Sequence, residues 1–360
     1  MLGEYGRVSE RSWRGVYVVI YFGYFGINDQ NIVTPLKNEF DKLQMEYTEL
    51  WSSYYTGEVA FDIMSKIKPG DVVIAPNHMF FEWMEKVEVK EYRQVQSQVH
   101  HVWVMHEFVS SKLSMVQGLR FVDYACVPND YVEQYLVDNG LPRKKIWPVG
   151  YVQLDTLWQS MEETLVQGWI RFGSRVNRVL VCPTMNYAIN GKLEWLEGLK
   201  DLASVGTWSI DFKGHELSES EDFLYGRCGE YVNTKHDWIN YLSVQMDLCE
   251  ILPHYDVVVS DGGSAPFLAL MAGASVMVYD SYRWWEDDKA FDPKDAAFTM
   301  RDLFYTFHSP RQLEILLENM SGPLVDDDLV LPQMSTCRGE NLFDGLVARR
   351  IAVKVKELLA

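Results

Sequence analysis

Asp256-Val-Val-Val-Ser-Asp-Gly-Gly-Ser-Ala-Pro-Phe-Leu-Ala-Leu-Met-Ala-Gly-Ala-Ser-Val-Met-Val-Tyr-Asp280 is the stretch that decides the fold class. It reads as a buried strand (Val257 to Val259), a glycine turn at Gly262 and Gly263, a helix opening at Ser264, and a second buried strand from Val276. The two glycines let a ligand approach the backbone closely. Ser264 is placed as an N-cap, with Pro266 in the first helical turn. A helix start presents unpaired N–H groups and the positive end of the helix dipole, which suits a phosphate. Asp261 stands at the carboxyl end of the strand, where open α/β sheets hold their ligands. Read alone, the segment is equally an ordinary strand–turn–helix unit.

The same alternation extends outward in both directions. Val16-Tyr-Val-Val-Ile-Tyr-Phe22, Asp71-Val-Val-Ile-Ala75, His101-Val-Trp-Val-Met105 and Tyr124-Ala-Cys-Val-Pro128 read as buried strands. Between them lie stretches at helical spacing, such as Thr34 to Leu43 and Tyr131 to Asn139. After Trp147-Pro-Val-Gly150 the chain becomes polar and helical-looking to about residue 175. Strands then resume at Arg178–Cys182, Trp208–Lys213, Val257–Ser260 and Val276–Tyr279. Strands alternating with helices predict parallel sheets covered on both faces. The expected organisation is a first α/β domain over 1–155, a linker over 156–176, and a second α/β domain over 177–360. The basic amphipathic helix from about Gly345 to Leu358 is expected to close the second domain. Tyr282 to Lys289, with Trp284 and Trp285, reads as a surface loop.

Composition narrows the function classes. A chain of 360 residues with a net charge of −18 is a poor general partner for nucleic acid or an anionic membrane, although a local basic pocket stays open. The five cysteines are scattered without CxxC spacing. That pattern points away from a zinc site or disulfide framework and towards a reducing cytoplasm. The apolar run Val16 to Ile27 is too short to span a bilayer and lacks a small-residue cleavage site, so a core strand is expected there.

Four constellations fall at strand ends. Met105-His106-Glu107 places a histidine able to take a proton from a hydroxyl, or simply a structural ring. Cys182-Pro-Thr-Met-Asn186 offers Thr184 and Asn186 to a phosphate or base, or is a proline turn and nothing more. Lys213-Gly-His-Glu216 sets a cation and His215 around a glycine, as a pyrophosphate site or a solvated loop. The fourth is the turn of Asp261, Gly262, Gly263 and Ser264. Each is weak alone; their order along the chain says more.

That order resembles the CDP-glycerol glycerophosphotransferase family, the teichoic acid polymerases and primases with a GT-B fold. The matching segments are Val104-Met-His-Glu-Phe-Val-Ser-Ser-Lys112, Val122-Asp-Tyr-Ala-Cys-Val-Pro-Asn129, Gly150-Tyr-Val-Gln-Leu-Asp155, Cys182 to Asn186, Lys213 to Glu216 and Ser260 to Ser264. The similarity runs from about residue 100 to 360. Glu107 stands where the family has glycine, Glu216 where it has proline, and Asn186 where it has arginine. Gly262 and Gly263 replace a tyrosine and a serine.

The resemblance implies a GT-B fold of two Rossmann-like parallel-sheet domains facing a central cleft. It also implies attack of an acceptor hydroxyl on the β-phosphorus of a CDP-polyol, with release of CMP. His106 would be the general base, and His215 with Lys213 would hold the pyrophosphate or protonate the departing phosphate. Gly263 and Ser264 would bind donor phosphates through backbone N–H groups, while Thr184, Asp261 and Gly262 shape the pocket. Neither metal nor bound cofactor is called for, since the nucleotide-activated donor is itself a substrate. The acceptor would be a polyol phosphate or saccharide, met in the cytoplasm or by peripheral contact at the inner membrane face. A GT-B glycosyltransferase using a nucleotide sugar and a non-catalytic nucleotide-binding protein are the alternative readings.

Overall fold

The computed structural model describes residues 18–52, 61–108, 118–166, 177–184, 192–204, 208–215, 232, 236–280, 299–319, 336–337 and 339–359. Asn186, Glu216 and the 282–289 segment lie outside them, as does the first part of the expected strand from Val16. Chain contacts divide the protein into two compact units. The first comprises residues 1–106, 114–155 and 337–360, and the second residues 107–113 and 156–336.

Each unit is built on a six-stranded sheet in which every pairing is parallel. The first sheet contains β1 (Ile20–Tyr24), β2 (Tyr47–Trp51), β3 (Val72–Ala75), β4 (His100–Val104), β5 (Tyr124–Val127) and β6 (Ile146–Pro148), in the order β2-β1-β3-β4-β5-β6. The second contains β7 (Asn177–Cys182), β8 (Trp208–Phe212), β9 (Asn240–Tyr241), β10 (Val257–Ser260), β11 (Ser275–Tyr279) and β12 (Tyr305–Phe307), in the order β12-β11-β10-β7-β8-β9. Two Rossmann-like parallel sheets in one chain are what the GT-B reading expected.

The central strands are legible because both of their faces are buried. Val72–Ala75 and Val257–Ser260 are buried at every residue, so they read as unbroken apolar runs. The strands not anticipated are β2, β6, β9 and β12. They are the four edge strands, and none is buried throughout: β2 buries Leu50 alone, so Tyr47-Thr-Glu-Leu-Trp51 lacks the unbroken apolar run of a central strand. The first helix also starts earlier than its apolar periodicity implied, at Ile27, and runs to Lys42 with Pro35 inside it.

The last helix corrects the domain boundaries. Val347–Leu358 was expected to close the second domain; it belongs to the first unit. Val347, Ala348, Ile351, Ala352 and Val355 share one helical face, and they bury it in a cluster with Phe22, Leu36 and Phe40. Asp155 fixes the start of this helix. Its Oδ1 accepts the Val347 N–H at 2.9 Å and its Oδ2 the Ala348 N–H at 2.7 Å, a cap supplied from far along the chain where Leu346 has no capping side chain. Such capping bonds contribute about 0.5–2 kcal/mol. Burial pushes the Asp155 carboxyl up to about 6 against the pull of those two N–H groups. The aspartate that ends the Gly150–Asp155 segment is therefore a structural clasp.

The expected 156–176 linker begins inside a helix, Gln153–Val166. Among the described residues, no helix is long and apolar enough to cross a membrane.

Candidate functional site

In the first unit, β4 delivers Met105 and His106 just past its carboxyl end. The His106 ring is fixed by Nδ1, which lies 2.9 Å from the Pro76 carbonyl oxygen. A carbonyl only accepts, so Nδ1 carries the proton in the neutral ring and Nε2 keeps its lone pair. The same carbonyl accepts the Trp103 indole N–H at 3.0 Å, and the Tyr151 hydroxyl donates to the His106 carbonyl at 2.9 Å. Peptide groups on both sides of the ring are thus held.

Asp29, near the start of the helix Ile27–Lys42, lies close enough for the two side chains to interact electrostatically. Burial raises the Asp29 carboxyl above its ordinary range, while the Phe25 N–H bond at 2.8 Å and the charge of His106 pull it down. An ionised Asp29 would in turn stabilise an imidazolium at His106. Nothing in Asn28-Asp-Gln-Asn31 singled Asp29 out, because its interaction with His106 joins the start of a helix to a strand end far along the chain.

In the second unit, Thr184, Asp261, Gly262, Gly263 and Ser264 come together, as their strand-end positions implied. Strands β7 and β10 pair with Ser260 beside Cys182, which sets the loops that follow them side by side. Ser260 Oγ donates to the Cys182 carbonyl at 2.6 Å, and Asp261 Oδ1 accepts the Thr184 N–H at 2.6 Å. Gly263 has φ +73°, the left-handed region, and a Cβ there would stand 3.3 Å from Thr184 Cγ2. A β-branched residue would therefore be strained in backbone and crowded at once.

Ser264 corrects one expectation. Its φ and ψ are already helical and its side chain makes no cap for the helix Ala265–Met271. Its hydroxyl instead accepts the Phe108 N–H at 2.9 Å; residues 107–113 belong to this second unit.

Arg301 is a second residue, after Asp29, that the sequence did not disclose. It is buried beneath the glycine turn. Nη2 donates to the Asp261 carbonyl at 3.0 Å, and Nη1 donates to Asp280 Oδ1 at 3.0 Å and to the Tyr279 carbonyl at 3.3 Å. One planar fork thus ties the loop after β10 to the end of β11.

Asp261 is wholly buried, and burial pushes its carboxyl up to about 6 despite the Thr184 N–H and the Arg301 charge. The linkage has a definite sign. Folded-state protonation persists above the ordinary carboxylate value, so this group's contribution to stability is fully present near pH 4 and is lost as pH rises through 6. Asp261→Asn removes that loss. Its stability relative to the parent should climb by about 2 kcal/mol between pH 4 and pH 7, read from paired urea denaturations. A constant difference across that range would contradict the placement of an ionised carboxylate in this core.

Lys213 and His215 follow β8. The Lys213 ammonium donates to the Val244 carbonyl at 3.2 Å, and its charge acts on Cys182, whose thiol burial pushes up to about 12. His215 stands exposed. Cys126, Cys182 and Cys249 are buried with raised thiols, which argues against a cysteine nucleophile at these positions. Among the described residues, no group of three or more His, Cys, Asp or Glu side chains is gathered as a metal would require.

No family model matches the chain, and no curated protein sequence matches it. Solved structures do. The wall teichoic acid polymerase TagF, in a histidine-to-alanine variant, superimposes with a TM-score of 0.62 at 14% identity over 95% of this chain and 89% of that one. The UDP-GlcNAc 2-epimerase of Methanocaldococcus jannaschii gives 0.56 at 12% identity over 94% and 99%. MnaA of S. aureus with UDP gives 0.55 at 13% over 94% and 96%. At such identities the likeness is one of fold, and it is the α/β fold that the motif order implied.

Proposed function

We propose that the protein is a transferase that moves a glycerophosphate-type group from a CDP-activated polyol to an acceptor hydroxyl. The observation that carries this reading is the His106 ring held by its Nδ1–H on the Pro76 carbonyl, which makes Nε2 the acceptor nitrogen of the neutral ring, in a chain that shares its fold with the TagF polymerase. In the reaction, Nε2 of His106 takes the acceptor proton as the acceptor oxygen bonds to the β-phosphorus. The bond from that phosphorus to the bridging oxygen breaks, and CMP leaves. The donor phosphates rest on the backbone N–H groups of Gly263 and Ser264, with Thr184 and Asp261 shaping the pocket. Lys213 and His215 supply cationic or proton-donating groups to the departing phosphate. Stabilising spread phosphoryl charge is the main task in such a transfer, so positioned N–H donors, histidines and a lysine suffice without a metal. The acceptor is a polyol phosphate or saccharide reached in the cytoplasm or at a membrane face.

A second reading, a glycosyltransferase using a nucleotide sugar, rests on Gly262 and Gly263. They take the place of hydroxyl-bearing side chains in a turn that would meet the donor, and two structures of similar fold are a UDP-GlcNAc 2-epimerase and a complex with UDP. A protein that binds the nucleotide without turning it over is the third.

A donor panel read by thermal melting separates them. CDP-glycerol at about a hundredfold excess over its dissociation constant should add about 2.7 kcal/mol of stability, a readily measured rise in Tm. A larger rise with a UDP-sugar would favour the glycosyltransferase.

A further inference from the structure

The second sheet carries another opening, at the end away from the glycine turn. Strand β8 starts at Trp208, in register with Asn177 at the beginning of β7, whereas Ser260 of the turn lies level with Cys182 at its end. From the level of Trp208 to that of Ser260 the distance along the strands is roughly 16 Å at about 3.3 Å per residue, and Asn240, level with Leu180, is the lining residue nearest the turn end. A cavity of about 540 Å³ opens there, between the helix Glu197–Ser204, the first residues of β8 and the edge strand β9. That volume is within the range of small-molecule sites.

Two half-buried tryptophans, Trp208 and Trp238, line it, each packed on the second unit's core and each keeping part of its surface open. The His236 ring meets Trp238 edge-on at 5.5 Å and holds its orientation. The polar lining is sparse and varied. Ser204 and Ser209 bring hydroxyls, and Asn240 donates through Nδ2 to buried Asp211 at 2.9 Å, which leaves its amide oxygen as an acceptor. Lys200 is mostly exposed and only 3.9 Å from Glu197, a long surface pair of little energetic weight. Its ammonium is available to an anion.

We propose that this cavity is a second binding site that takes a pyranose ring bearing an acidic substituent. The C–H face of the ring lies on an indole, where a large flat apolar surface is offered at small entropic cost. Its hydroxyls donate to the Asn240 amide oxygen and to the Ser204 oxygen, which itself donates to the Asp201 carbonyl at 2.7 Å. They exchange hydrogen bonds with Ser209, and the carboxylate or phosphate the ring carries meets Lys200. Indole faces also stack nucleic-acid bases, but binding of a strand draws on a row of cations, and Lys200 is the lone cation lining the cavity among the described residues of a chain at −18. Such a site would anchor a saccharide at a distance from the donor turn, and it does not depend on which donor that turn takes.

Calorimetric titration of the full chain with trigalacturonate, maltotriose and an oligothymidylate tests this. Trigalacturonate should bind at least tenfold tighter than maltotriose. Trp238→Ala should lose at least tenfold of that affinity, and Lys200→Gln, a change on an exposed helix face, should bring the two sugars to equal affinity. Circular dichroism checks the fold of Trp238→Ala, and CDP-glycerol binding should be unchanged in both variants. Equal affinity of the parent for both sugars, no heat from either at millimolar concentration, Lys200→Gln behaving as the parent, or tighter binding of the oligothymidylate would each overturn the proposal.

Discussion

His106→Ala should lower CMP release from CDP-glycerol by about 10²–10⁴-fold, the usual contribution of a positioned general base, while the donor dissociation constant stays within about twofold of the parent. The asymmetry follows from what the ring is assigned to do. Nδ1 is occupied by the Pro76 carbonyl, so the chemistry available to the side chain is proton acceptance at Nε2. A base that acts on the acceptor hydroxyl contributes to the transition state and little to binding of the nucleotide. Removing the ring also frees the Pro76 carbonyl, but Trp103 still donates to it, so the local fold is expected to survive. A variant with normal turnover would remove His106 from the mechanism. A variant that no longer binds CDP-glycerol would make it a donor-site residue instead.

Arg301→Ala should be the most destabilising single change at the glycine turn, costing about 3–5 kcal/mol in urea denaturation. The guanidinium is 7% exposed and satisfies two carbonyls and one carboxylate at once. Truncating it leaves half-buried Asp280 without its cation and the Asp261 and Tyr279 carbonyls without this donor, the first of them in a residue that is wholly buried. Against a typical total of about 5–15 kcal/mol, that is a large fraction. Arg301→Lys should recover part of the loss, because one ammonium cannot reproduce a fork that spans three acceptors. Donor affinity should fall in both variants, since the Asp261 carbonyl anchors the backbone that presents Gly263 and Ser264. A loss below about 1 kcal/mol would mean that the turn is held by its strands alone.

Those two residues mark the limits of what the sequence discloses. His106 is visible because it closes a β-branched strand, and a residue in that position has few purely local roles. Thr184, Asp261 and the glycines are visible for the same reason, and parallel pairing of β7 with β10 brings them together. Arg301 sits in Thr299-Met-Arg-Asp-Leu303, beside no long strand and in no motif, and its three partners lie more than twenty residues upstream. Only the tertiary fold joins them. Asp29 is hidden for the same reason.

Fold class was legible wherever strands are buried on both faces. It was not legible at β2, where partly exposed residues blur the pattern. The last helix shows a subtler limit. Its amphipathic face was plain, yet nothing in Val347–Leu358 says which sheet that face covers. The Asp155 carboxylate, 192 residues before Val347, and the still earlier Phe22–Phe40 cluster decide it. Ser264 is the converse case: its position predicted a cap, and the Phe108 N–H claims its hydroxyl instead.

The identity of the nucleotide product tests the proposed reaction most directly. Transfer through the β-phosphorus breaks the pyrophosphate and yields a nucleoside monophosphate, whereas sugar transfer from a nucleotide sugar leaves the diphosphate whole. The protein would be incubated with CDP-glycerol or a UDP-sugar and a mixture of polyol-phosphate and saccharide acceptors, and the nucleotides resolved by chromatography. CMP accumulating from CDP-glycerol, and lost in His106→Ala, is the expected result. UDP released from the sugar donor, with CDP-glycerol left intact, would contradict it.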